Sequence, residues 1–198
     1  MGENDRGGER SVKRLIVGIS GASGSIYGIR LLRALRETDV ESHLIVTESA
    51  KRVIRLETPF TVEAVEALAN HVYAVDDLGV AISSGSFLTH GMVIIPCSIK
   101  SLSAIAYSYN VDLLVRAADV TLKERRQLVI VVRETPLHQG HLESMFRLTE
   151  MGAVILPPAP AFYHSPQTIE DWVDQTVGKV LDLFEIEHSL FARWKGAQ

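Results

Sequence analysis

The sequence predicts one α/β domain with a doubly wound parallel sheet and helices on both of its faces, three layers in all. Its 198 residues suffice for one buried core and are too few for two ordinary domains. Short runs of valine, isoleucine and leucine alternate with amphipathic stretches of helical length, which is typical of strand–helix–strand units. Because these runs are almost continuously apolar, the strands are expected to be buried on both faces.

Five segments have the composition of buried strands, and helical segments separate them. The predicted strands are residues 15–19, 42–47, 92–96, 128–132 and 153–156. The predicted helices are residues 26–37, 62–69, 113–125 and 141–151. A last helix follows residues 165–167, since apolar side chains recur there with the spacing of one helix face: Val173, Val177, Val180, Leu181 and Phe184.

The two ends of the chain depart from this alternation. Residues 1–12 are polar and contain glycine, so they are predicted to be a disordered tail and not a secretion signal. The folded domain is then expected to span residues 13–185, with residues 186–198 as a C-terminal arm.

Composition argues against several classes of function. The chain has 20 Lys and Arg against 24 Asp and Glu, a net charge of -4, which gives nucleic acid no broad basic surface. No apolar run approaches the roughly 18 to 20 residues of a membrane span, so membrane insertion is not expected. The single cysteine, Cys97, has no partner for an internal disulfide, which favours the reducing cytoplasm.

The loop after the first predicted strand is rich in glycine and serine and leads into a helix: Gly18-Ile19-Ser20-Gly21-Ala22-Ser23-Gly24-Ser25. Backbone N–H groups and the helix dipole at such a turn favour a phosphate. The spacing matches neither the dinucleotide fingerprint G-x-G-x-x-G nor a P-loop, which argues against NAD and ATP. A tight turn whose glycines only permit positive φ is the alternative.

Hydroxyl side chains are concentrated in two further loops, residues 83–86 and 96–101. Ser98 and Ser101 lie three apart at a predicted helix start, where they either cap the helix or bind a ligand. Thr47, at the end of the second predicted strand, has the same two interpretations. Ligands of a doubly wound sheet bind outside the carboxyl ends of the strands, which makes these loops candidates.

Cationic side chains suggest an anion site. Arg116 and Lys123 are seven residues apart on one helix, so they share a face and either converge on an anion or pair with Asp119 and Glu124. Arg133 directly follows an apolar strand, where its guanidinium could bind a phosphate in a fork. The adjacent carboxyl of Glu134 could move a proton there.

Residues 157–164 follow the last predicted strand, and their prolines fix the position of Tyr163, which either lines an apolar pocket or packs on the surface. His138 and His141 lack the third ligand of a recognised metal pattern, so no metal site is predicted. Nothing in the sequence pairs Cys97 with a base, which favours packing over nucleophilic catalysis.

These segments resemble, in the same order, those of the UbiX-type flavin prenyltransferase family. The resemblance runs from residues 14–24 to 191–194 and includes the segments 83–87, 96–100, 116–120, 122–126, 133–137 and 160–164. It implies a flavodoxin-like fold and a large homo-oligomer, commonly a dodecamer. FMN and dimethylallyl phosphate would be bound across subunit boundaries in that assembly.

The resemblance also implies the site residues. FMN would be held by Gly21, Ala22, Ser23, Thr47, Ser98, Ile99, Lys100, Ser101 and Arg133. Dimethylallyl phosphate would be surrounded by Arg116, Lys123, Arg133, Glu134, Tyr163, Lys179 and Trp194. Two positions depart from the family pattern. Lys179 stands where an arginine is usual and loses the bidentate fork, and Thr47 replaces a serine but keeps its hydroxyl.

The activity implied by the resemblance joins a dimethylallyl group to N5 and then C6 of reduced FMN without a metal. The product serves UbiD-type decarboxylases, with ubiquinone biosynthesis as the expected pathway. The implied catalytic residues are Ser23, Glu57, Lys123 and Glu134. Ser23 would position N5, Glu134 or the phosphate would handle protons, and Glu57 would assist ring closure.

Three alternatives remain at this point. The oxidative decarboxylases of cysteinyl substrates resemble this family in fold and FMN use. Such an enzyme would need a catalytic histidine and a Pro-Ala-Ser-Ala-Asn-Thr-like loop in place of residues 96–101. A direct aromatic-acid decarboxylase fits only through the cofactor supplied to another enzyme. A flavin carrier without turnover would have no reason to assemble Lys123, Glu134, Tyr163 and Lys179.

Overall fold

A six-stranded parallel sheet forms the centre of the computed structural model, which describes residues 13–194 and 196. The tail predicted for residues 1–12 therefore lies outside the described residues. The strands are β1 (Arg14–Ile19), β2 (Glu41–Val46), β3 (His71–Tyr73), β4 (Gly91–Cys97), β5 (Gln127–Val132) and β6 (Val154–Ile155). Their order across the sheet is β3-β2-β1-β4-β5-β6, and every neighbouring pair is parallel.

Helices cover both faces of this sheet, and each face has its own apolar core. One core joins strand residues such as Val17 to Ile29 and Val177, and the other joins Ile94 to Leu114 and other residues. The predicted three-layer architecture is thereby confirmed. Within the described residues, no helix is both long and apolar enough to cross a membrane. The helices are α1 (Ser25–Leu35), α2 (Glu48–Glu57), α3 (Val62–Glu66), α4 (Ile99–Ala106), α5 (Leu113–Lys123), α6 (Gln139–Glu150) and α7 (Ile169–Leu183).

All five predicted strands are present, and the structure adds the edge strand β3. This strand has three residues, and His71 and Val72 are exposed, so it lacks the apolar run that identifies a buried strand. Leaving β3 aside, the remaining strands follow the order 2-1-3-4-5 of flavodoxin-like sheets. Helix α2 was also not predicted, because only Ala50 and Ile54 of its ten residues are buried. Thr47 caps α2 and does not close β2.

The topology places a crevice between the ends of β1 and β4. After β1 the chain enters α1, which packs in the core containing Ile29. After β4 it enters α4, which packs in the other core through Leu102. Because the two loops leave neighbouring strands toward opposite faces, they diverge and open a binding crevice at the carboxyl edge of the sheet.

Helix α1 approaches the sheet closely at Gly28, and this contact fixes the helix that begins at the crevice. A Cβ at Gly28 would lie 2.5 Å from the carbonyl oxygen of Ile95 and 2.8 Å from Cδ1 of Ile19. We expect Gly28→Ala to lower the free energy of unfolding by about 1–3 kcal/mol, since α1 must move off the sheet. Urea unfolding monitored by circular dichroism measures this free energy of unfolding.

Gly79→Ala is the matched control for this change. Its Cβ would meet only the flexible Asp77 carboxylate, at 3.3 Å, so its effect is expected to stay within about 0.5 kcal/mol. Equal unfolding free energies for the two variants would show that α1 does not depend on the close approach at Gly28.

The C-terminal arm, as far as residue 194, packs back along α7. Ile186 is 7% exposed and belongs to the core. Asp182 holds the arm through His188 Nε2 at 3.1 Å and Arg193 Nη2 at 2.7 Å. The Arg193 guanidinium and the His188 ring hold the pKa of the Asp182 carboxyl below its usual range. The arm is therefore tied to the end of α7, which positions Trp194.

Candidate functional site

Ser20 ties together the two strand ends that form the crevice. Its buried hydroxyl donates to the carbonyl oxygen of Pro96 at 3.1 Å and accepts from the N–H of Ser98 at 2.8 Å. Gly21 follows, and a Cβ there would lie 2.3 Å from Oγ of Ser49, so the loop can close onto α2 only with glycine. The glycine-rich turn is therefore rigidly placed beside the hydroxyl loop that follows β4.

Helix α1 begins at this turn without a side-chain cap. Its N-cap residue, Gly24, is in the left-handed region with φ 93 and has no side chain to offer. Each of the other six α-helices has a capping side chain, from Thr47, Thr61, Ser98, Asp112, His138 and Thr168. The Gly24 N–H donates to Glu57 Oε2 at 2.7 Å. The start of α1 thus combines unused N–H groups, which suit an anion, with one carboxylate.

The first groove, of about 350 Å³, lies between the ends of β2 and β4. Thr47 and Ser98 each cap a helix, α2 and α4, which confirms the capping interpretation, and both also line this groove, so ligand binding by their hydroxyls stays a prediction. Ser98 Oγ donates to Ser101 Oγ at 3.2 Å. Two cations, Lys100 and Arg52, line this groove together with three carboxylates, Glu48, Asp76 and Asp112. The row of hydroxyls fits a polyhydroxylated chain, and Lys100 or Arg52 can pair with a phosphate that this chain carries.

The second groove, of about 410 Å³, lies on the other side of the glycine turn. Ser23, Tyr27, Arg133 and Glu134 line it together with residues 157–159. Arg133 is held at the strand end because its backbone N–H donates to the carbonyl oxygen of Cys97 at 3.1 Å. The Glu134 carboxylate accepts from the N–H of Thr135 at 3.0 Å. This groove therefore places one cation and one carboxylate beside an aromatic ring.

Tyr27 is a lining residue that the sequence interpretation missed. Burial raises the pKa of its phenol, and the positive charge of Arg133 partly opposes this rise. Tyr27 lies in the first turn of α1, directly after the glycine turn that contains Ser23, and this position is the signal that could have identified it.

Arg116 and Lys123 are placed away from both grooves, facing the loop of residues 83–86. Arg116 Nη1 lies 3.2 Å from Asp119 Oδ2, and its Nε donates to the carbonyl oxygen of Ser83 at 3.2 Å. Lys123 pairs with Glu124. Within one chain, Arg116 and Lys123 therefore pair with Asp119 and Glu124. Such ion pairs are the alternative to a shared anion that the sequence left open.

Within one chain, Lys123 and Arg133 also lie far apart. Lys123 ends α5 shortly before the amino end of β5, whereas Arg133 follows its carboxyl end. A strand of this length spans about 20 Å, so the two cations lie at opposite edges of the sheet.

Tyr163 and Trp194 contact each other, with ring centroids 5.5 Å apart at 73°. The loop carrying Tyr163 is held on α7, because the Ala161 N–H donates to Gln175 Oε1 at 2.9 Å. Lys179 lies exposed on the same helix. These three predicted residues thus gather around α7 and the C-terminal arm, and they do not line the second groove.

Cys97 is buried at the end of β4, next to the crevice but not open to it. Burial raises the pKa of its thiol to about 12. A thiol that stays protonated at neutral pH is a poor nucleophile, which agrees with the predicted packing role.

Comparison with known proteins gives consistent matches over nearly the whole chain. The Flavoprotein family model matches residues 3–194. The flavin prenyltransferase UbiX of Escherichia coli strain K12 is 59% identical over 189 residues, which cover 94% of this chain and 100% of that protein. Two solved structures are also similar. AnUbiX (PadA1) in complex with FMN and dimethylallyl pyrophosphate has a TM-score of 0.93 and 46% identity, covering 95% of this chain and 100% of that one. A dodecameric FMN-dependent UbiX-like decarboxylase from E. coli O157:H7 has a TM-score of 0.91 and 49% identity, covering 92% and 100%.

Proposed function

The chain belongs to the Flavoprotein family and to its UbiX flavin prenyltransferases, and from this premise we propose that it prenylates reduced FMN. It transfers a dimethylallyl group from dimethylallyl phosphate to N5 and C6 of the flavin. The observation that carries this proposal is the pair of adjacent grooves at the carboxyl edge, one lined by hydroxyls and one by Arg133, Glu134 and Tyr27. The prenylated FMN then passes to a UbiD-type decarboxylase.

The first groove and the glycine turn form the FMN site in this proposal. The hydroxyls of Thr47, Ser98 and Ser101 face the ribityl chain and phosphate, with Lys100 adding positive charge. Gly21 and Ala22 let the flavin approach the backbone, and Ile99 begins α4 beside them. The support for this placement is that Thr47, Ser98, Lys100 and Ser101 line one groove although they come from two separate loops, and that Ser20 ties the glycine turn to the second of these loops.

The second groove receives the prenyl phosphate. Arg133 can bind its oxygens in a fork, which stabilises the negative charge that develops as the carbon–oxygen bond breaks. The ring of Tyr27 offers an apolar, electron-rich wall to the allylic cation. Ser23 lies at the boundary with the flavin turn, where its hydroxyl can position N5. Glu134 lines the same groove and can accept the proton that N5 loses when it is alkylated, with the departing phosphate as the other acceptor, whereas Glu57, fixed at Gly24, assists the proton transfer of ring closure.

The remaining cations belong to a neighbouring subunit in the proposed homo-dodecamer. Lys123 lies toward the opposite edge of the sheet, and Arg116 faces the loop of residues 83–86 from the same helix, so in another subunit they can reach this groove. Tyr163, Lys179 and Trp194 close the site from the side of α7. We place the reaction in the cytoplasm, which the buried free thiol of Cys97 supports.

Mass spectrometry of the released flavin tests the function directly. The full-length protein is incubated anaerobically with reduced FMN and dimethylallyl phosphate, and the flavin is expected to gain the mass of one dimethylallyl group. Oxidised FMN serves as the control and is expected to stay unchanged. A flavin that binds but gains no mass would favour a carrier, and decarboxylation of an aromatic acid without a UbiD-type partner would favour a decarboxylase.

Ser23→Ala and Glu57→Gln are each expected to slow prenylation at least about tenfold in a single turnover. The first change removes the hydroxyl that positions N5, and the second keeps an acceptor for the Gly24 N–H but removes an acid–base group. Glu37→Gln, at an exposed position after α1, is the control and is expected to react at the wild-type rate. Wild-type rates in both variants would remove these two residues from the mechanism.

A further inference from the structure

Two imidazoles and a carboxylate meet at the edge of the sheet, far from the crevice. Glu41 and His43 lie at the start of β2, and His71 begins β3. The parallel register pairs His43 with His71, whose rings stack with centroids 4.7 Å apart at 15°. These three residues, the Glu41–His43–His71 cluster, belong to the amino half of the sheet, whereas both grooves lie at its carboxyl edge.

Their ligand atoms converge on one point. Glu41 Oε1 lies 2.6 Å from His71 Nε2 and 3.7 Å from His43 Nε2, and the ligand atoms of the three residues all lie within 4.8 Å of one another. Bonds of about 2.0–2.1 Å from a tetrahedral zinc ion to nitrogen and oxygen require a similar spacing of about 3.3 Å. Because Glu41 Oε1 and His71 Nε2 share a hydrogen bond and the two rings are stacked, admitting a cation requires loss of that hydrogen bond and rotation of the exposed His71 ring out of the stack.

An unsatisfied nitrogen gives a second, independent indication of a ligand. The side chain of His43 is 2% exposed, and its Nε2 has no hydrogen-bond partner among the described residues. A buried polar atom without a partner is costly, so such an atom usually has a function.

Neighbouring groups orient two of the three ligands. His43 Nδ1 lies 2.9 Å from the Tyr73 hydroxyl, and when Nδ1 carries the proton the lone pair is on Nε2, toward Glu41. Arg14 Nε donates to Glu41 Oε2 at 3.0 Å, which leaves Oε1 for the cluster. Such outer contacts are typical of protein metal sites, where they fix the tautomer and the direction of each ligand.

We propose that Glu41 Oε1, His43 Nε2 and His71 Nε2 bind a divalent zinc-like cation. A water completes the tetrahedron on the open side, since the His71 side chain is 48% exposed. Two imidazoles with one carboxylate favour Zn²⁺ over Mg²⁺ or Ca²⁺, which prefer oxygen ligands. The cation would join the short edge strand β3 to β2 and takes no part in prenyl transfer.

Zinc titration of the chelator-washed full-length protein tests the site. Competition with a chromophoric zinc indicator is expected to show one tight ion per chain that Mg²⁺ does not displace. His43→Gln and His71→Gln should each weaken Zn²⁺ binding at least about tenfold. The control replaces the other histidine pair, His138 and His141, with glutamine, and binding is expected to stay unchanged.

Two further measurements distinguish loss of the zinc site from loss of folding and show where the ion binds. His71 is partly exposed, so His71→Gln is expected to fold and to prenylate FMN at the wild-type rate even if His43→Gln does not fold. Co²⁺ bound to the wild type should show the visible absorption of a tetrahedral site, which His71→Gln removes. Equal zinc affinity of His71→Gln and the wild type, or loss of binding only in the His138/His141 control, would overturn the proposal.

Discussion

Arg133→Met is expected to lower the single-turnover rate of prenyl transfer about 10³-fold, the upper range for removing one group that stabilises developing charge. Among the described residues lining the second groove, Arg133 supplies the cation, and its backbone is anchored to the end of β4. Methionine keeps similar bulk but cannot stabilise the departing phosphate. Arg133→Lys keeps the charge and loses the fork, so a smaller loss of about tenfold is expected.

Stopped-flow absorbance of the flavin under anaerobic conditions measures this rate. Arg36→Met is the matched control, because it removes the same charge from an exposed position after α1. FMN affinity is measured in parallel, since Arg133 is also proposed to contact FMN. A variant that is saturated with both substrates and still reacts at the wild-type rate would show that Arg133 does not stabilise the transition state.

Strands β1, β2, β4 and β5 were predictable because they are buried on both faces, whereas the predicted β6 is only partly buried. Val17 and Ile94 lie in opposite cores, yet both come from apolar runs that local composition reveals. β3 and α2 were not predictable for the converse reason. Most of their side chains are exposed, and they are ordered by pairing and by the Thr47 cap, which tertiary context supplies.

The site could be predicted only where one short segment carries it. The glycine turn and the Ser98–Ser101 pair each follow a strand, so the sheet topology alone places them at the crevice. Tyr27 was missed because a tyrosine in a helix has many possible surroundings. The relation of Lys123 to Arg133 depends on chain direction, since α5 runs back to the edge where β5 begins. Because Lys123 and Arg133 are separated in one chain, whether they act in the same site depends on how the subunits assemble.

Oligomers that contain two different inactive chains are expected to recover activity. Lys123→Met in one chain and Arg133→Met in another should each abolish most turnover alone. If a site takes Arg133 from one subunit and Lys123 from its neighbour, co-assembly at equal amounts leaves about one quarter of the sites with both cations. Activity should then rise from the background of either variant to about a quarter of the wild-type value.

Co-expression with two affinity tags and tandem purification yields these mixed oligomers, and mass spectrometry gives their composition. The control mixes the wild type with a chain that carries both substitutions. When the two cations come from different subunits, about a quarter of its sites also stay intact, so the two mixtures have equal activity. When they come from the same chain, the control keeps about half its activity and the first mixture none. Because β5 holds Lys123 and Arg133 at opposite edges of the sheet, equal activity is the expected result.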